Sequence, residues 1–175
     1  MKILKNKKIL DITETDPSDA ADILEYLKQV GSETDYLVID EKGILLTIEQ
    51  EKKYIETCKN SFNNKSFVGK IEGKIVTVCG FEGSDRDRIK HNVSIGLSVL
   101  KDYWNIGVAQ HMLNHMVNYA RTTGIIKNMT LEVRSDNENA IHIYKKIGFK
   151  KVGIFTKKFK IDDKYYDSLI MELLL

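Results

Sequence analysis

Ile95-Gly96-Leu97-Ser98-Val99, then Trp104-Asn105-Ile106-Gly107-Val108-Ala109-Gln110, then Asn137-Glu138-Asn139-Ala140 with Tyr144 and Gly148-Phe149 behind it, is the part of the chain that decides the fold. The first piece has the apolar character of a strand. It runs into a glycine-containing turn that opens a helix. A helix start presents unpaired N–H groups and the positive end of the peptide dipole, so it suits an anion such as a phosphate. Gly107 and Ala109 carry little or no side chain and let such an anion approach the backbone. A second strand follows at 128–133, and then a helix at 138–147 that carries a tyrosine. Asn137 is placed to cap that helix. Tyr144 lies about two turns in, on the same side as Ala140.

Working outward, residues 8–12 form an apolar run suited to a first strand. Asp16-Pro17-Ser18-Asp19 is a helix start, with a capping residue, proline in the first turn and acid at the positive end. Ala20, Ile23, Leu24, Leu27 and Val30 recur at helical spacing, and Gly31 is expected to end them. Thr47 and Gln50 make a capping box for a second helix. Residues 66–71 and 74–81, joined at Glu72-Gly73, read as a β-hairpin. Residues 91–99 form the next strand, and 108–123 an amphipathic helix ended by Gly124. The last two strands lie at 151–160 and 165–174, with Asp162-Asp163-Lys164 turning between them. Hairpins on both sides of a strand–helix–strand unit imply a mixed sheet in an α/β or α+β fold.

The chain has 175 residues, enough for one domain with a real core. A net charge of +2 provides no large field for nucleic acid or a membrane surface, and neither partner is expected. Cys58 and Cys79 lie far apart without metal-ligand spacing and read as buried free thiols. With no run of eighteen apolar residues and no apolar leader, a cytoplasmic, reduced location is expected. His111 and His115 stand four apart on a helix but lack a third ligand, so no metal is expected.

The motifs together resemble the GNAT (Gcn5-related) N-acetyltransferase superfamily. Asn137, Ala140, Tyr144 and Gly148-Phe149 match N-x-x-A-x-x-x-Y-x-x-x-G-F. The loop Trp104-Asn105-Ile106-Gly107-Val108-Ala109 aligns with the family's Q/R-x-x-G-x-G/A, with tryptophan in place of its first residue and Gln110 following. The resemblance implies one GNAT domain over 1–175. Its sheet would be seven-stranded, mixed and mostly antiparallel, flanked by about four helices and splayed between the fourth and fifth strands. Acetyl-CoA would lie in the gap as acetyl donor. The loop backbone would hold the pyrophosphate, with Leu97, Ser98 and Val99 along the pantetheine arm and Asn137 reaching the cofactor. The ending Asp162–Asp167, then Leu169-Ile170-Met171, resembles the RimI/RimL-type and small-molecule branches.

The implied reaction is direct acetyl transfer to a primary amine, on a small molecule or a protein N-terminus, in a ternary complex. Tyr144 would donate to the leaving thiolate. Its ordinary pKa of about 10 against about 8.5 for a thiol makes full proton transfer uphill by about 2 kcal/mol, so the phenol works by position. Freeing a lysine-like ammonium at pH 7 costs about 4.6 kcal/mol. Family members use a glutamate for this on the strand before the loop. Ser94 stands at that place here, which leaves Glu132 or His91 as substitutes, or proximity alone. Two other readings are a non-catalytic acyl-CoA-binding module on the same fold and an acyltransferase of longer chains. A homodimer is expected from the frequency of two-fold pairs.

Overall fold

Period-2 and period-3.6 patterns settle nearly every element. The computed structural model describes residues 1–175. Its strands are β1 (Lys2–Ile3), β2 (Ile9–Glu14), β3 (Lys65–Ile71), β4 (Lys74–Gly83), β5 (Asn92–Val99), β6 (Asn128–Arg134), β7 (Lys150–Ile161) and β8 (Lys164–Leu174). Its helices are α1 (Ala20–Glu33), α2 (Ile48–Asn60), α3 (Val108–Thr122) and α4 (Glu138–Ile147). The strand beyond the expected seven is β1, which is too short to show alternation. It pairs Lys2 with Leu10 and Ile3 with Ile9.

The sheet order is β1-β2-β3-β4-β5-β6-β8-β7. Every neighbouring pair is antiparallel except β5 and β6. That parallel contact runs only from Asn92↔Asn128 to Ser94↔Thr130. Beyond it the strands part, and the sheet opens between the fourth and fifth of the seven expected strands.

Helices cover both faces. Val108, Met112, Leu113, Met116, Val117 and Ala120 of α3 are buried in one core with Phe67, Phe81, Leu131 and Met171. Ile23, Tyr26 and Val30 of α1 and Ile55 of α2 form a second core with Val68, Ile75 and Leu100. The capping signals work as read. Asp16 accepts from Ser18 N–H at 3.1 Å, and Asp19 Oδ2 accepts from Asp16 N–H at 2.9 Å. Thr47 and Gln50 cap each other at 3.2 and 2.8 Å.

Gly31 plays a different part from the one expected. It does not end α1, which continues to Glu33. Instead the carbonyl of Asp40 lies where its Cβ would stand. Glycine here lets the 34–47 segment lie tightly on the helix.

Candidate active site

The opening between β5 and β6 is a cavity of about 600 Å³. Its β5 wall follows from strand register. Leu100 N–H donates to Val76 C=O at 3.0 Å, and Ser98 stands opposite Val78. Alternation along an antiparallel pair then turns the backbone groups of Leu97 and Val99 away from β4 and into the opening. Trp104 intervenes there, because its indole N–H donates to Val99 C=O at 2.7 Å. Val99 N–H and both backbone groups of Leu97 are left for a ligand. The tryptophan therefore clasps the turn between strand and helix, a role absent from the sequence signature.

The loop itself is a cradle of amides. Asn105 (φ 63°) and Gly107 (φ 102°) are both left-handed. Alternating left- and right-handed residues turn successive N–H groups toward one concavity. No protein group accepts from the amides of residues 105–110, and the first helical bond is His111 N–H to Gly107 C=O at 3.1 Å. A Cβ on Gly107 would meet only the His111 ring, 3.8 Å away. The positive φ, rather than crowding by protein, calls for glycine here. Trp104, Asn105, Gly107, Val108, Ala109 and Gln110 all line the cavity. Ile106 does not, and its side chain packs on the core.

Lys5 is a cavity residue that sequence reasoning passed over. Its backbone N–H donates to Ile106 C=O at 3.2 Å, and its Nζ donates to Asn105 C=O at 3.3 Å. The short β1–β2 hairpin thus pins the cradle from below and adds a cation to it. Lys146, bonded to Gln110 at 3.3 Å, adds a second. Two ammonium groups beside a helix N-terminus favour an anion at the loop end of the cavity, whose Asn137 end carries Asp136 and Glu138.

The α4 side is fixed at both ends. Asn137 Oδ1 accepts from Ala140 N–H at 3.2 Å and caps the helix. Its Nδ2 is unengaged within the chain, and the residue lines the cavity. At the other end Gly148 (φ 114°) donates to Lys145 C=O at 3.0 Å, and Phe149 N–H donates to Tyr144 C=O at 3.0 Å. This closing motif explains the Gly-Phe spacing behind the tyrosine. Phe149 is buried, and its ring meets that of Tyr144 edge-on at 5.9 Å. The Tyr144 side chain lines the cavity, and its hydroxyl has no hydrogen-bond partner in the protein. Burial pushes its pKa up to about 12. Replacing Asn137 with Ala removes the cap at an expected cost of about 1 kcal/mol. A thermal melt read against that of the parent chain checks it.

Glu132 lies elsewhere. It pairs with Lys158 at 3.2 Å and accepts from Ser168 Oγ at 3.1 Å, on the β6–β8 face outside the cavity. The structure therefore does not bring it to Tyr144 as the expected base. Ser94 opens instead onto a second groove, which shares Leu37, Leu97 and Ser98 with the cavity. Arg134 is buried behind two residues of the cavity wall, Tyr36 and Asp136. Its guanidinium stacks between Tyr36 (4.4 Å) and Tyr166 (4.2 Å), binds both oxygens of Asp136 at 2.7 and 2.8 Å, and donates to Asp35 C=O at 3.1 Å. No group of three or more metal-ligating side chains comes together. No helix is long and apolar enough to cross a membrane.

Residues 25–149 match the model of the Acetyltransferase (GNAT) family. This chain is a member of that family. The GNAT fold is shared over nearly the whole length with an acetyltransferase of Streptococcus pneumoniae: 30% identity, TM-score 0.93, covering 95% of this chain and all of that one. A Salmonella typhimurium protein, yncA, solved with its cofactor acetyl-CoA, has the same fold at 17% identity and TM-score 0.81, covering 94% of this chain and 93% of that one. Among curated relatives, N-alpha-acetyltransferase 50 of Danio rerio is 30% identical over 103 residues, which is 59% of this GNAT chain and 55% of that protein. The chain thus spans about half the length of that relative.

Proposed function

We propose that this chain is an N-acetyltransferase that passes the acetyl group of acetyl-CoA directly to a primary amine. One observation carries the reading. The unpartnered amides of Asn105 and of residues 107–110 and the unpartnered Tyr144 hydroxyl line the same cavity, joined by the free edge of β5. The cradle, with Lys5 and Lys146, suits a diphosphate. The edge at Leu97 and Val99 suits the amide-bearing arm of coenzyme A, added like a strand. Family membership, and the acetyl-CoA named for yncA, support the same assignment.

Bound this way, acetyl-CoA would supply an activated acyl group. The chain's own residues supply position and polarity. Leu97 and Val99 align the thioester arm along β5. With a pKa of about 12 the Tyr144 phenol stays protonated throughout the physiological range. Complete transfer of its proton to a thiolate of pKa about 8.5 would be uphill by about 5 kcal/mol. It therefore acts as a hydrogen-bond donor to charge building on sulfur. The amine reacts in its neutral form: its nitrogen forms the C–N bond as the C–S bond breaks, and the proton it then sheds passes through water to the departing thiolate, which leaves as the coenzyme A thiol.

Isothermal titration with acetyl-CoA, followed by thiol release across a panel of amines, tests the reading. Binding with amine-dependent release of coenzyme A is the expected result. Binding with no release for any amine would leave a non-catalytic binding module. Faster release from succinyl- or longer acyl-CoA would reassign the donor.

A further inference from the structure

Glu51 has no part in the site described so far. It stands in the first turn of α2, is only 4% exposed, and its Oε2 is enclosed with no hydrogen-bond partner. No lysine or arginine pairs with it. A buried carboxylate left without a partner is costly, and folds rarely keep one without a use. Burial also raises its pKa above the ordinary carboxylate range.

The side chain borders the second groove, of about 560 Å³. This groove lies between β4–β5 and the 34–47 segment that Gly31 holds against α1. Its walls are apolar, with Ile23 and Leu27 from α1 and Ile39, Ile44 and Leu46 from the segment. The charged residues in its lining are Glu51 and Glu82, and both are acidic. Glu82 accepts from the Tyr54 hydroxyl at 2.9 Å and stands opposite Ser94 across the strands. The floor is bare at Gly96, where an added Cβ would meet nothing within 4 Å. At Leu97 and Ser98 the groove runs into the coenzyme cavity.

We propose that this groove seats the acceptor, that the acceptor is a primary amine carried on an apolar body with no carboxylate beside it, and that Glu51 is the anion that receives its ammonium group. The inference rests on the acetyltransferase reading and goes beyond it by naming the substrate class. Apolar walls take the body of such a molecule. Two acidic side chains attract the cation and repel a free amino acid, whose own carboxylate would enter beside them. Two sources share this chemistry: a free alkyl or aryl amine, and a peptide N-terminus with an apolar first residue.

The test uses the full chain saturated with coenzyme A and reads amine binding by calorimetry, with KM for the amine measured separately. The probes are 2-phenylethylamine, leucyl-glycine amide and free phenylalanine. At least one of the first two is expected to bind ten times or more tighter than phenylalanine, and which of them binds identifies the source. Glu51→Gln is expected to weaken that binding at least tenfold with the affinity for coenzyme A unchanged. Gly96→Val, which adds bulk to the floor without backbone strain, is expected to weaken it as well. Equal affinity in Glu51→Gln, or preference for phenylalanine, overturns the proposal. Failure of coenzyme A itself to bind would instead overturn the acetyltransferase reading on which it rests. Intact coenzyme A binding with no effect at Glu51 or Gly96 would overturn the acceptor assignment alone.

Discussion

Tyr144→Phe is expected to lower kcat by about a hundredfold, within the range for losing a positioned acid or hydrogen-bond donor. The Kd for acetyl-CoA should change little. The ring stays packed on Phe149, the helix keeps its Gly148-Phe149 closure, and only a hydroxyl with no protein partner is lost. Stopped assays of coenzyme A release, beside calorimetry on the same preparation, separate the two quantities. The pH profile gives a further check. A phenol held at about 12 does not titrate between pH 6 and 10, so the variant's profile should keep the parent's shape at reduced height. A limb that disappears in the variant would assign a titration to Tyr144 and contradict the raised pKa of its phenol.

Gly107→Val is expected to weaken coenzyme A binding a hundredfold or more while leaving the fold in place. Its φ of 102° lies where a β-branched residue is an outlier costing on the order of 1–3 kcal/mol. Relaxing that strain rotates the peptide planes on either side and scatters the amides of residues 105–110. Any valine that keeps the geometry puts methyl groups near the phosphates. The protein offers no steric objection of its own, since His111 is the sole neighbour, at 3.8 Å. Titration with coenzyme A and a melting curve together distinguish lost binding from lost structure. A variant that binds as tightly as the parent would show that the amides around Gly107 do not hold the phosphates.

What could be read in advance was what is encoded locally. Thr47 with Gln50, Asn137 with Ala140, and Gly148 with Phe149 are signals contained within a few residues, and each forms the bonds its spacing implies. The opening between β5 and β6 followed from the resemblance that those motifs carry. What escaped notice depends on distance along the chain. Lys5 reaches Asn105 in the loop before α3, a hundred residues away, and no periodicity links the two. Gly31 resembles a helix stop until Asp40 is folded onto it. Trp104 departs from the family's loop pattern, and its use is visible only once Val99 presents a carbonyl to it. Glu132 alternates correctly for a strand, but which face its alternation selects is settled by β8, whose Ser168 and the neighbouring Lys158 of β7 claim the carboxylate.

The stacked guanidinium of Arg134 has a consequence for the order of events. Through Asp35 and Tyr36 it moors the beginning of the 34–47 segment to the strand that leads into Asn137. That segment contributes Leu37 to both compartments. Whatever steadies it from one side steadies it for the other, and thermodynamic reciprocity requires each occupant to favour its companion by the same factor. The two reactants are therefore expected to bind cooperatively, and severing the mooring with Arg134→Met should make their affinities independent.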